Sequence, residues 1–600
     1  TAIVKDKDNK IWVLTEGNYL NLYNSSKDVF ERKLIDVPNT FELKNRSKEI
    51  MVDNDGDFWI GNNVSNLVFW DRDKNIFKVL SIVEESISIL HIYQDKKGLI
   101  WISTDGDGIY LFDKRIGVLQ HIIHDPFDKY SFPNNQPSKI LEDKKGVLWI
   151  TTYNKGISKL VLFKSHFGHY VYSSEKKNAL SEKISQTVLE DSKGRIWIGT
   201  DGGGLYRFNE RTKSYKWYKS NPKNITSLSS DKILYLTESF DKTIWVSTWN
   251  GGLNKFNPNT GKVEQFKYNV NNPYSISQNA VYCTVEDEKN RLWLGTQSEG
   301  LNLFDPKTKR FYRYKNIKEQ ENTLIDNHVF SCFIDSKNRL LLGTSLGLCI
   351  VKLDELKEYI PENISFIELK ERAIQGGKVN YITEDYTGGI WIGTDVALHH
   401  LDDNLNLIKS YYRKDGLPNN LVLGVKQSDK NTLWITTKGG LSKLDILKDK
   451  FYNYTVQDGI QGAEFQSKSI TKLKDGRILA GGINGFNLFN PDDIVEKSTK
   501  LKTVITKFKL FNEVIKVGEK VNDRIILEKS ISNTKFLELE YDEGYLSFEF
   551  VAFHYKNPNK VQYVYKMKGL HDDFITAGDN REASYSSLPP GDYEFQVKAS

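Results

Sequence analysis

The stretch Asp191-Ser-Lys-Gly-Arg-Ile-Trp197-Ile-Gly-Thr200 decides the fold, because the chain repeats its pattern along most of its length. An acidic residue begins most copies, a short turn follows, usually with Gly or Asn, and Trp or a substitute then precedes small residues. The Trp slot falls at Trp12, Trp59, Trp101, Trp149, Trp197, Trp245, Trp293, Leu341, Trp391, Trp434 and Ile478, and from Trp101 to Leu341 every step is 48 residues. Such a period indicates one four-stranded propeller blade per repeat.

Each part of the repeat has a structural role in a blade. The acidic residue accepts backbone hydrogen bonds in a hairpin turn, and Gly or Asn three positions later takes the positive φ that the turn needs. Trp lies on the next strand, where its ring fills the space between tilted blades. We therefore interpret the repeated Trp and its acidic partner as scaffold, and we expect ligand-binding residues where the blades differ.

Composition excludes several classes of function. The 600 residues carry a net charge of +5 with Lys and Asp/Glu interspersed, which argues against a nucleic-acid-binding surface. Three cysteines give no disulfide framework, and Cys283 and Cys332, at matching positions of neighbouring repeats, are predicted to be small buried core residues. Both ends of the chain fall within strand patterns, so we expect any membrane-anchoring segment to lie outside these residues.

No catalytic, metal or cofactor site is predicted. Asp53-Asn-Asp-Gly-Asp57 is similar to a calcium loop, but its Gly is at the fourth position rather than the sixth, so we interpret it as a turn. His399 and His400 are adjacent on a strand and point to opposite faces, which predicts one exposed and one packed imidazole. A glycosidase carboxylate pair has no spacing rule, so a propeller-fold enzyme remains an alternative.

The repeat resembles the two-component regulator propeller repeat over residues 1 to about 495, most clearly in Asp475-Gly-Arg-Ile-Leu-Ala-Gly-Gly-Ile-Asn-Gly-Phe486 of the last blade. The period then stops, and alternating strands with turn signals over 504–600 predict a β-sandwich. This segment resembles the tyrosine-rich Y_Y_Y domain at Asn557-Pro558, Tyr563, Tyr565, Gly569, Tyr585, Leu588-Pro-Pro-Gly591 and Tyr593. We interpret the tyrosines as sandwich core.

The predicted fold is all-β, with two consecutive β-propellers followed by an immunoglobulin-like β-sandwich. Residues 1–165 form part of an N-terminal propeller with four blades visible, 166–497 a second, seven-bladed propeller, and 498–600 the sandwich. The resemblance implies two seven-bladed rings, so the first is incomplete in this chain. A rival division places the boundary near 352–378, where the sequence departs from the repeat.

The turn after each Trp strand varies most in chemistry, and such loops carry the binding sites of propellers. Trp249 stands out, because a turn has no packing need for an indole ring. An aromatic ring beside amides and carboxylates can stack on a sugar ring and bond its hydroxyl groups. The predicted ligand-binding residues are Trp249, Asn250, Tyr153, Asn154, Asp105, Asp201 and Gln297. Packing of each loop against the neighbouring blade is an equally open interpretation.

The resemblance implies the function. Proteins of this family are periplasmic sensor regions of inner-membrane hybrid two-component systems that bind oligosaccharides released from glycans and control polysaccharide-utilisation genes. The resemblance also implies a histidine kinase elsewhere in the parent chain, and we expect a homodimer through the C-terminal sandwich. Two alternatives remain: a carbohydrate-active enzyme, that is, a glycoside hydrolase or lyase, and a protein-interaction scaffold.

Overall fold

The computed structural model of the chain describes residues 2–15, 19–37, 49–61, 66–81, 87–126, 131–144, 146–161, 166–172, 180–495, 501–554 and 561–600. The fold is all-β as predicted, and in these ranges the helices are short 3₁₀ turns at Leu353–Glu355, Arg413–Asp415, Val456–Asp458, Pro491–Asp493 and Ile531–Asn533. None of the described helices is long and apolar enough to cross a membrane. The chain divides into two compact units, Ser165–Glu496 and Thr1–Lys164 with Lys497–Ser600.

The unit Ser165–Glu496 is a propeller with seven four-stranded sheets among its described residues. In the first six sheets the strands follow chain order: β17 Ser185–Glu190, β18 Ile196–Thr200, β19 Leu205–Asn209, β20 Ser214–Tyr218; β21 Ile233–Glu238, β22 Ile244–Thr248, β23 Leu253–Phe256, β24 Val263–Phe266; β25 Val281–Glu286, β26 Leu292–Thr296, β27 Leu301–Asp305, β28 Arg310–Tyr314; β29 Val329–Ile334, β30 Arg339–Thr344, β31 Leu348–Lys352, β32 Ile367–Glu368; β33 Val379–Glu384, β34 Ile390–Thr394, β35 Leu398–Leu401, β36 Leu407–Tyr411; β37 Val422–Asp429, β38 Thr432–Thr437, β39 Gly440–Asp445, β40 Lys450–Tyr454.

The seventh sheet closes the ring with strands from both ends of the unit. β41 (Phe465–Lys472), β42 (Ile478–Gly482) and β43 (Gly485–Phe489) receive their outer strand, β16 (Gly168–Tyr170), from the start of the unit. His169 pairs with Asn487 in this ladder. The first strand of each sheet contacts the first strands of its two neighbours, so that β41 touches both β37 and β17. The first strands therefore surround a central channel.

The repeat motif builds a hydrogen-bonded unit in which the acidic residue holds the Trp directly. In the sheet of β25–β28, one carboxylate oxygen of Asp287 accepts the backbone N–H groups of Lys289 and Arg291 at 3.0 Å. The other oxygen accepts the indole N–H of Trp293 at 2.9 Å and the Arg291 Nε–H at 2.7 Å. The turn residue Asn290 has φ +58°, as the repeat predicts. The spacing of six residues between Asp and Trp therefore follows from hydrogen bonding as well as packing.

The slot residues are the core of the blades. All are buried except Trp149, which is partly buried, and the indole rings reach across to the next blade. Trp245, for example, lies edge-on to Phe304 with ring centroids 5.5 Å apart. These aromatic pairs join neighbouring blades, whose strands belong to separate sheets.

The prediction of Ile478 as the slot of the last blade is wrong by one residue. The turn Leu473–Arg477 bonds as Asp191–Arg195 does, which places Leu479 at the position of Trp197.

The N-terminal segment of the other unit contains four further sheets in chain order. Their strands are β1 Ala2–Lys5, β2 Ile11–Leu14, β3 Tyr19–Asn24, β4 Val29–Leu34; β5 Glu49–Val52, β6 Phe58–Gly61, β7 Asn66–Asp71, β8 Ile76–Ser81; β9 Ile89–Gln94, β10 Ile100–Thr104, β11 Ile109–Asp113, β12 Gly117–Ile122; β13 Pro137–Glu142, β14 Val147–Thr152, β15 Gly156–Val161. The first strands β1, β5, β9 and β13 contact one another in sequence, as in consecutive blades.

The carboxylates of the calcium-like loop bind the side chain of a lysine. The carboxylates of Asp53, Asp55 and Asp57 lie within 4.8 Å of one another. The Lys114 ammonium group lies 2.7 Å from an oxygen of each of them. Hydrogen bonds to these carboxylates raise the pKa of Lys114 despite its partial burial. The lysine therefore neutralises the acidic turn from the neighbouring sheet.

We expect Lys114→Met to lower the free energy of unfolding by about 1–3 kcal/mol, because it leaves clustered carboxylates without a cation. The same variant should gain a thermal stabilisation by millimolar calcium chloride that the natural chain lacks, since three carboxylates suit that ion. Differential scanning fluorimetry with and without calcium measures both effects. Lys74→Met, which removes an exposed ion pair with Asp71, is the control and should change little. Equal behaviour of the two variants would contradict the role of Lys114.

The C-terminal segment is a β-sandwich around a continuous apolar core. One sheet has the order β45-β44-β48-β51, the other β50-β49-β52, and β46 pairs with β47. The strands are β44 Thr503–Leu510, β45 Glu513–Val514, β46 Lys520–Val521, β47 Arg524–Ile525, β48 Leu546–Ala552, β49 Tyr563–Lys568, β50 Ile575–Gly578, β51 Glu582–Tyr585 and β52 Glu594–Ala599.

The tyrosines that carry the resemblance to the Y_Y_Y domain belong to this core. Tyr563 and Tyr585 are buried, and Tyr565 and Tyr593 pack against the same cluster. The Tyr563 hydroxyl accepts the backbone N–H of Ala552 at 3.0 Å, which joins the two sheets. Asn557 and Pro558, which belong to the same pattern, lie outside the described residues.

Candidate functional site

A β-bulge marks the start of the first strand in every sheet of the propeller. In β25 the ladder pairs Val281 with Thr296 and then Cys283 with Gly295, so Tyr282 is the extra residue. The corresponding shift occurs in the first strands β17, β21, β29, β33 and β37, and β41 has a longer irregularity. Bulges occur often beside functional sites, because they redirect a side chain out of the ladder.

The bulges open onto a small cavity on the axis of the ring. Its volume is about 50 Å³, and it is lined by Gln186, Leu234, Tyr282, Phe330, Lys378, Asn380, Ser467 and Lys468. A single water needs roughly 10–15 Å³ of such space. Since six of the seven first strands or their flanking residues contribute, only the closed ring creates this cavity. It has room for a small chemical group.

The side chain of Lys468 extends from β41 across the channel to β25 and β29. Lys468 has φ +64° within the irregularity of β41 and is 9% exposed. Its ammonium group donates to the carbonyl oxygens of Tyr282 at 2.7 Å and Phe330 at 2.6 Å. It also lies 5.5 and 5.4 Å from the ring centroids of Tyr235 and Tyr282. Burial lowers the pKa of Lys468 to about 8, while the neighbouring thiols of Cys283 and Cys332 favour its charged form.

Lys378 adds a second ammonium group to the cavity. Its Nζ lies 3.9 Å from the centroid of the Phe330 ring, a close cation–π contact. Burial lowers the pKa of Lys378, and Asp395 partly opposes that shift. In the part of the chain that the structure describes, no carboxylate oxygen lies within 4.0 Å of the ammonium group of Lys378 or Lys468. The lining is therefore cationic, and the acidic groups that favour its charge are Asp395 and the thiols of Cys283 and Cys332, none of which forms an ion pair with it.

A row of aromatic rings leads from the cavity to the loop that contains Trp249. The Phe330 ring lies edge-on to Tyr282 at 5.1 Å, and Tyr282 lies edge-on to Trp249 at 6.0 Å. Trp249 is 38% exposed, directly after the end of β22, and its backbone N–H donates to Lys232 O at 3.1 Å. A partly exposed indole near a cavity lined by two lysines suits stacking against a sugar ring.

The other predicted residues of this propeller lie in the equivalent loops at the same end. Asn250 accepts a hydrogen bond from the Ser230 hydroxyl at 2.9 Å, and Asp201 lies 3.8 Å from the Lys232 ammonium group. The Gln297 backbone N–H donates to Ala280 O, beside the start of β25. Asp201, Trp249, Asn250 and Gln297 therefore belong to three consecutive blades, and Trp249 is the one whose ring contacts a cavity-lining side chain.

The remaining predicted residues, Asp105, Tyr153 and Asn154, belong to the other unit. Gln136 links two of them. Its side-chain amide donates to the Asp105 carboxylate at 3.2 Å, and its backbone carbonyl accepts the backbone N–H of Tyr153 at 3.0 Å. Asn154 has φ +56°, a turn conformation that asparagine tolerates well. These three residues therefore belong to loops of the other unit. The turn conformation explains why asparagine occurs at position 154.

The prediction of one exposed histidine at 399–400 is wrong. His399 is fully buried and bonds the Ser410 hydroxyl at 2.8 Å. His400 stacks on Trp391 with ring centroids 3.9 Å apart, and its Nε2 lies 3.0 Å from Asp385. Asp385 therefore binds an imidazole in this blade instead of the indole. The two residues occupy successive positions of β35, but His400 is covered by Trp391 of its own blade, so neither imidazole is exposed.

Sequence reasoning missed Lys468, Lys378 and Tyr282. The sequence feature that comes nearest to indicating this site is Lys468 itself, because it is a charged residue in a strand predicted to lie in the interior of a blade. Trp217, also outside the repeat slot, was overlooked too; it lies on the outer strand β20 and is 41% exposed. Because β20 is the outer strand of its sheet, Trp217 is not part of the channel lining.

Comparisons with known proteins agree with the fold. A model of the two-component regulator propeller matches residues 84–106, 131–154, 179–202 and 275–298, and the Y_Y_Y domain matches 554–600. Histidine kinase P4 of Formosa agariphila is 27% identical over 253 residues, which are 42% of this chain and 18% of that protein's length. The chain thus spans less than a fifth of this curated relative.

A solved extracellular domain shares the fold of this chain. The extracellular domain assigned to the hybrid two-component system BT3049 of B. thetaiotaomicron is 25% identical with a TM-score of 0.76, covering 100% of this chain and 75% of that one. The extracellular domain assigned to BT4673 of the same organism is 22% identical with a TM-score of 0.48, covering 100% of this chain and 78% of that one. The chain therefore carries two-component regulator propeller repeats and a Y_Y_Y domain, and it matches the extracellular sensor domains of hybrid two-component systems.

Proposed function

We propose that this chain is the periplasmic ligand-sensing region of an inner-membrane hybrid two-component sensor, whose parent chain is a histidine kinase that controls polysaccharide-utilisation genes. The ligand is a glycan-derived oligosaccharide, bound at the channel mouth of the propeller 165–496. The observation that carries this proposal is the contact between the partly exposed Trp249 and the cavity-lining Tyr282. An exposed indole beside amides, and near a cavity lined by two lysines, combines sugar stacking with hydrogen bonding.

A sensor must convert binding into a change of relative arrangement. The ligand transmits a signal only to the extent that it binds one arrangement of domains or subunits better than another. We propose that the chain forms a homodimer through its C-terminal sandwich, which passes this bias towards the membrane. Analytical ultracentrifugation with and without ligand tests the dimer, and a monomer under both conditions, in a chain extended to its membrane-proximal end, would contradict it.

The proposed ligand class is tested by thermal shift across a panel of defined oligosaccharides. A ligand at 100 times its dissociation constant stabilises the folded state by about 2.7 kcal/mol. We expect Trp249→Ala to abolish that shift, because stacking on the indole is lost. Trp217→Ala, which removes a similarly exposed indole from an outer strand of the same propeller, is the matched control and should retain the shift.

Two results would contradict parts of the proposal. An unchanged shift in Trp249→Ala would exclude this residue from the site. The absence of a shift with every oligosaccharide would favour the protein-interaction scaffold instead. Incubation with the same panel also addresses catalysis, since a sensor should leave the oligosaccharides at their original length.

A further inference from the structure

The cavity on the propeller axis concentrates positive charge, and no carboxylate of the described residues forms an ion pair with it. Two of its lining residues, Lys378 and Lys468, end in ammonium groups, and among the described residues the other liners are neutral. Burying an unpaired charge costs several kcal/mol, so such groups are normally accompanied by a carboxylate. A lysine pair in this position therefore indicates that the counter-charge comes from a ligand.

The geometry of Lys468 leaves one donor for that ligand. An ammonium group has three N–H donors, and the carbonyl oxygens of Tyr282 and Phe330 take two of them. These two carbonyls fix the direction of the side chain, as do the rings of Tyr235 and Tyr282 on either side. The ammonium group is thus held rigidly before any ligand arrives, which reduces the entropy lost on binding.

Lys378 supplies donors from the rim. Its ammonium group rests on the Phe330 ring at 3.9 Å, and no hydrogen-bond acceptor for it is found among the described residues. Lys378 and Lys468 repel each other, which is one cause of the lowered pKa of Lys468. An anion between them would relieve that repulsion and accept hydrogen bonds from both.

The size of the cavity sets which part of a ligand enters. About 50 Å³ is the space of a few water molecules at roughly 10–15 Å³ each, which suits a carboxylate or sulfate group. The row of Tyr282 and Trp249 continues from the cavity to the exposed loop, where a ring bearing that group would stack. Amide groups of Gln186 and Asn380 line the same space.

We infer that the channel mouth recognises an acidic saccharide, whose carboxylate or sulfate substituent enters the axial cavity and binds the ammonium groups of Lys378 and Lys468. This inference rests on the proposed function and narrows it to anionic glycans. Stacking alone accepts neutral sugars equally well, so the two lysines determine the selectivity of the site.

The test is calorimetric titration of the full 600-residue chain at pH 7 and constant ionic strength. The probes are sodium glucuronate, glucose 6-sulfate, inorganic sulfate and glucose. We expect heat of binding with glucuronate or glucose 6-sulfate, and the stronger of the two identifies carboxylate or sulfate as the natural substituent. Glucose should bind at least tenfold more weakly than the stronger acidic probe.

Lys378→Met and Lys468→Met should each weaken binding of that acidic probe at least tenfold. Lys223→Met, which removes an exposed lysine of the same propeller, should leave it unchanged. Circular dichroism establishes that the variants are folded, and Lys378→Met, at a half-buried rim position, carries the test if Lys468→Met is unstable.

The outcomes separate this inference from the proposed function. Acidic probes that bind both lysine variants as tightly as the natural chain would overturn the inference, as would tighter binding of glucose. Sensing of a neutral oligosaccharide through Trp249 would then still support the proposed function. Inorganic sulfate that binds in a Lys468-dependent way, with no binding of any saccharide, would support the anion site and contradict the oligosaccharide ligand.

Discussion

Replacing Asp287 by Ala is expected to destabilise the propeller by about 3–5 kcal/mol, the largest effect that we predict for a single substitution. The carboxylate accepts two backbone N–H groups, the Trp293 indole N–H and the Arg291 guanidinium group. Arg291 is 1% exposed, so loss of Asp287 leaves a buried cation with the Tyr359 carbonyl as its remaining charge-stabilising acceptor. An uncompensated buried charge is among the costliest defects in a protein.

Hydrogen exchange measures this effect locally, which matters because a chain of several domains does not unfold in two states. Amides of β26 and β27 should exchange at least a hundredfold faster in Asp287→Ala. Ser239→Ala is the matched control, since Ser239 occupies the same position in the preceding blade and Trp245 has no partner for its indole N–H. A similar loss in both variants would show that the carboxylate contributes little.

A double substitution isolates the charge. Asp287→Ala combined with Arg291→Met should recover part of the stability, because it replaces a buried ion pair by apolar groups instead of leaving one charge. No recovery would mean that the hydrogen bonds to the turn and to Trp293 account for the whole loss.

Raising the pH from 7 to above 10.5 is expected to stabilise the natural chain relative to Lys468→Met by up to about 3 kcal/mol. Lys468 has a pKa of about 8 in the folded chain, against an ordinary value of 10.5. Below pH 8 both states are protonated and the full penalty of the buried charge applies. Between pH 8 and 10.5 the folded state releases the proton that the unfolded state retains, so folding becomes more favourable.

Other titratable groups lie near Lys468 and have to be considered between pH 8 and 10.5. Cys283, Cys332, Tyr235 and Lys378 face its ammonium group. Burial raises the pKa of the Cys332 thiol and of the Tyr235 hydroxyl, so neither group is expected to lose its proton before Lys468 does. Despite burial, which raises it, the hydrogen bond from Cys332 and the charge of Lys468 lower the pKa of the Cys283 thiol, so its ionisation also favours the folded state as the pH rises. Comparison with Lys468→Met cancels the contributions of the exposed lysines and tyrosines.

Two measurements follow the pH effect. The ¹³Cε resonance of Lys468, assigned by its absence from Lys468→Met, should titrate near pH 8. Urea unfolding of the natural chain and of Lys468→Met at pH 7, 8, 9 and 10 should give a stability difference that grows with pH. A titration midpoint near 10.5 would contradict the buried position of the ammonium group, and Lys223→Met should show no such pH dependence.

The blades could be predicted from the sequence because their determinants are local. These determinants are the hairpin turn, the positive φ three residues after Asp and the small residues that follow Trp. All of them lie within ten residues, so they can be recognised in a single copy of the repeat such as Asp287–Thr296. The tyrosines of the sandwich follow the same logic, since Tyr563 and Tyr565 mark alternating positions of a single strand. The Asp–Trp hydrogen bond was missed because spacing alone does not distinguish packing from bonding.

The channel could not be predicted in the same way. Lys468 meets Tyr282 and Phe330 from positions 186 and 138 residues away in the chain. Those contacts exist only once seven sheets close into a ring, and the closure depends on the pairing of β16 with β43. Trp249 was found because an indole in a turn conflicts with its local surroundings, whereas a lysine in a strand conflicts with nothing until the strand is placed.

The sequence by itself determined the architecture of this protein: the blade repeat, the end of the repeat near residue 500, and the loops in which the blades differ. Only the tertiary structure decided what those loops surround. Hydrogen bonds and side-chain volumes within one repeat act over short distances and leave a readable period. The charge, size and donor geometry of the axial cavity arise from single residues on several blades, and their meeting depends on the closed ring.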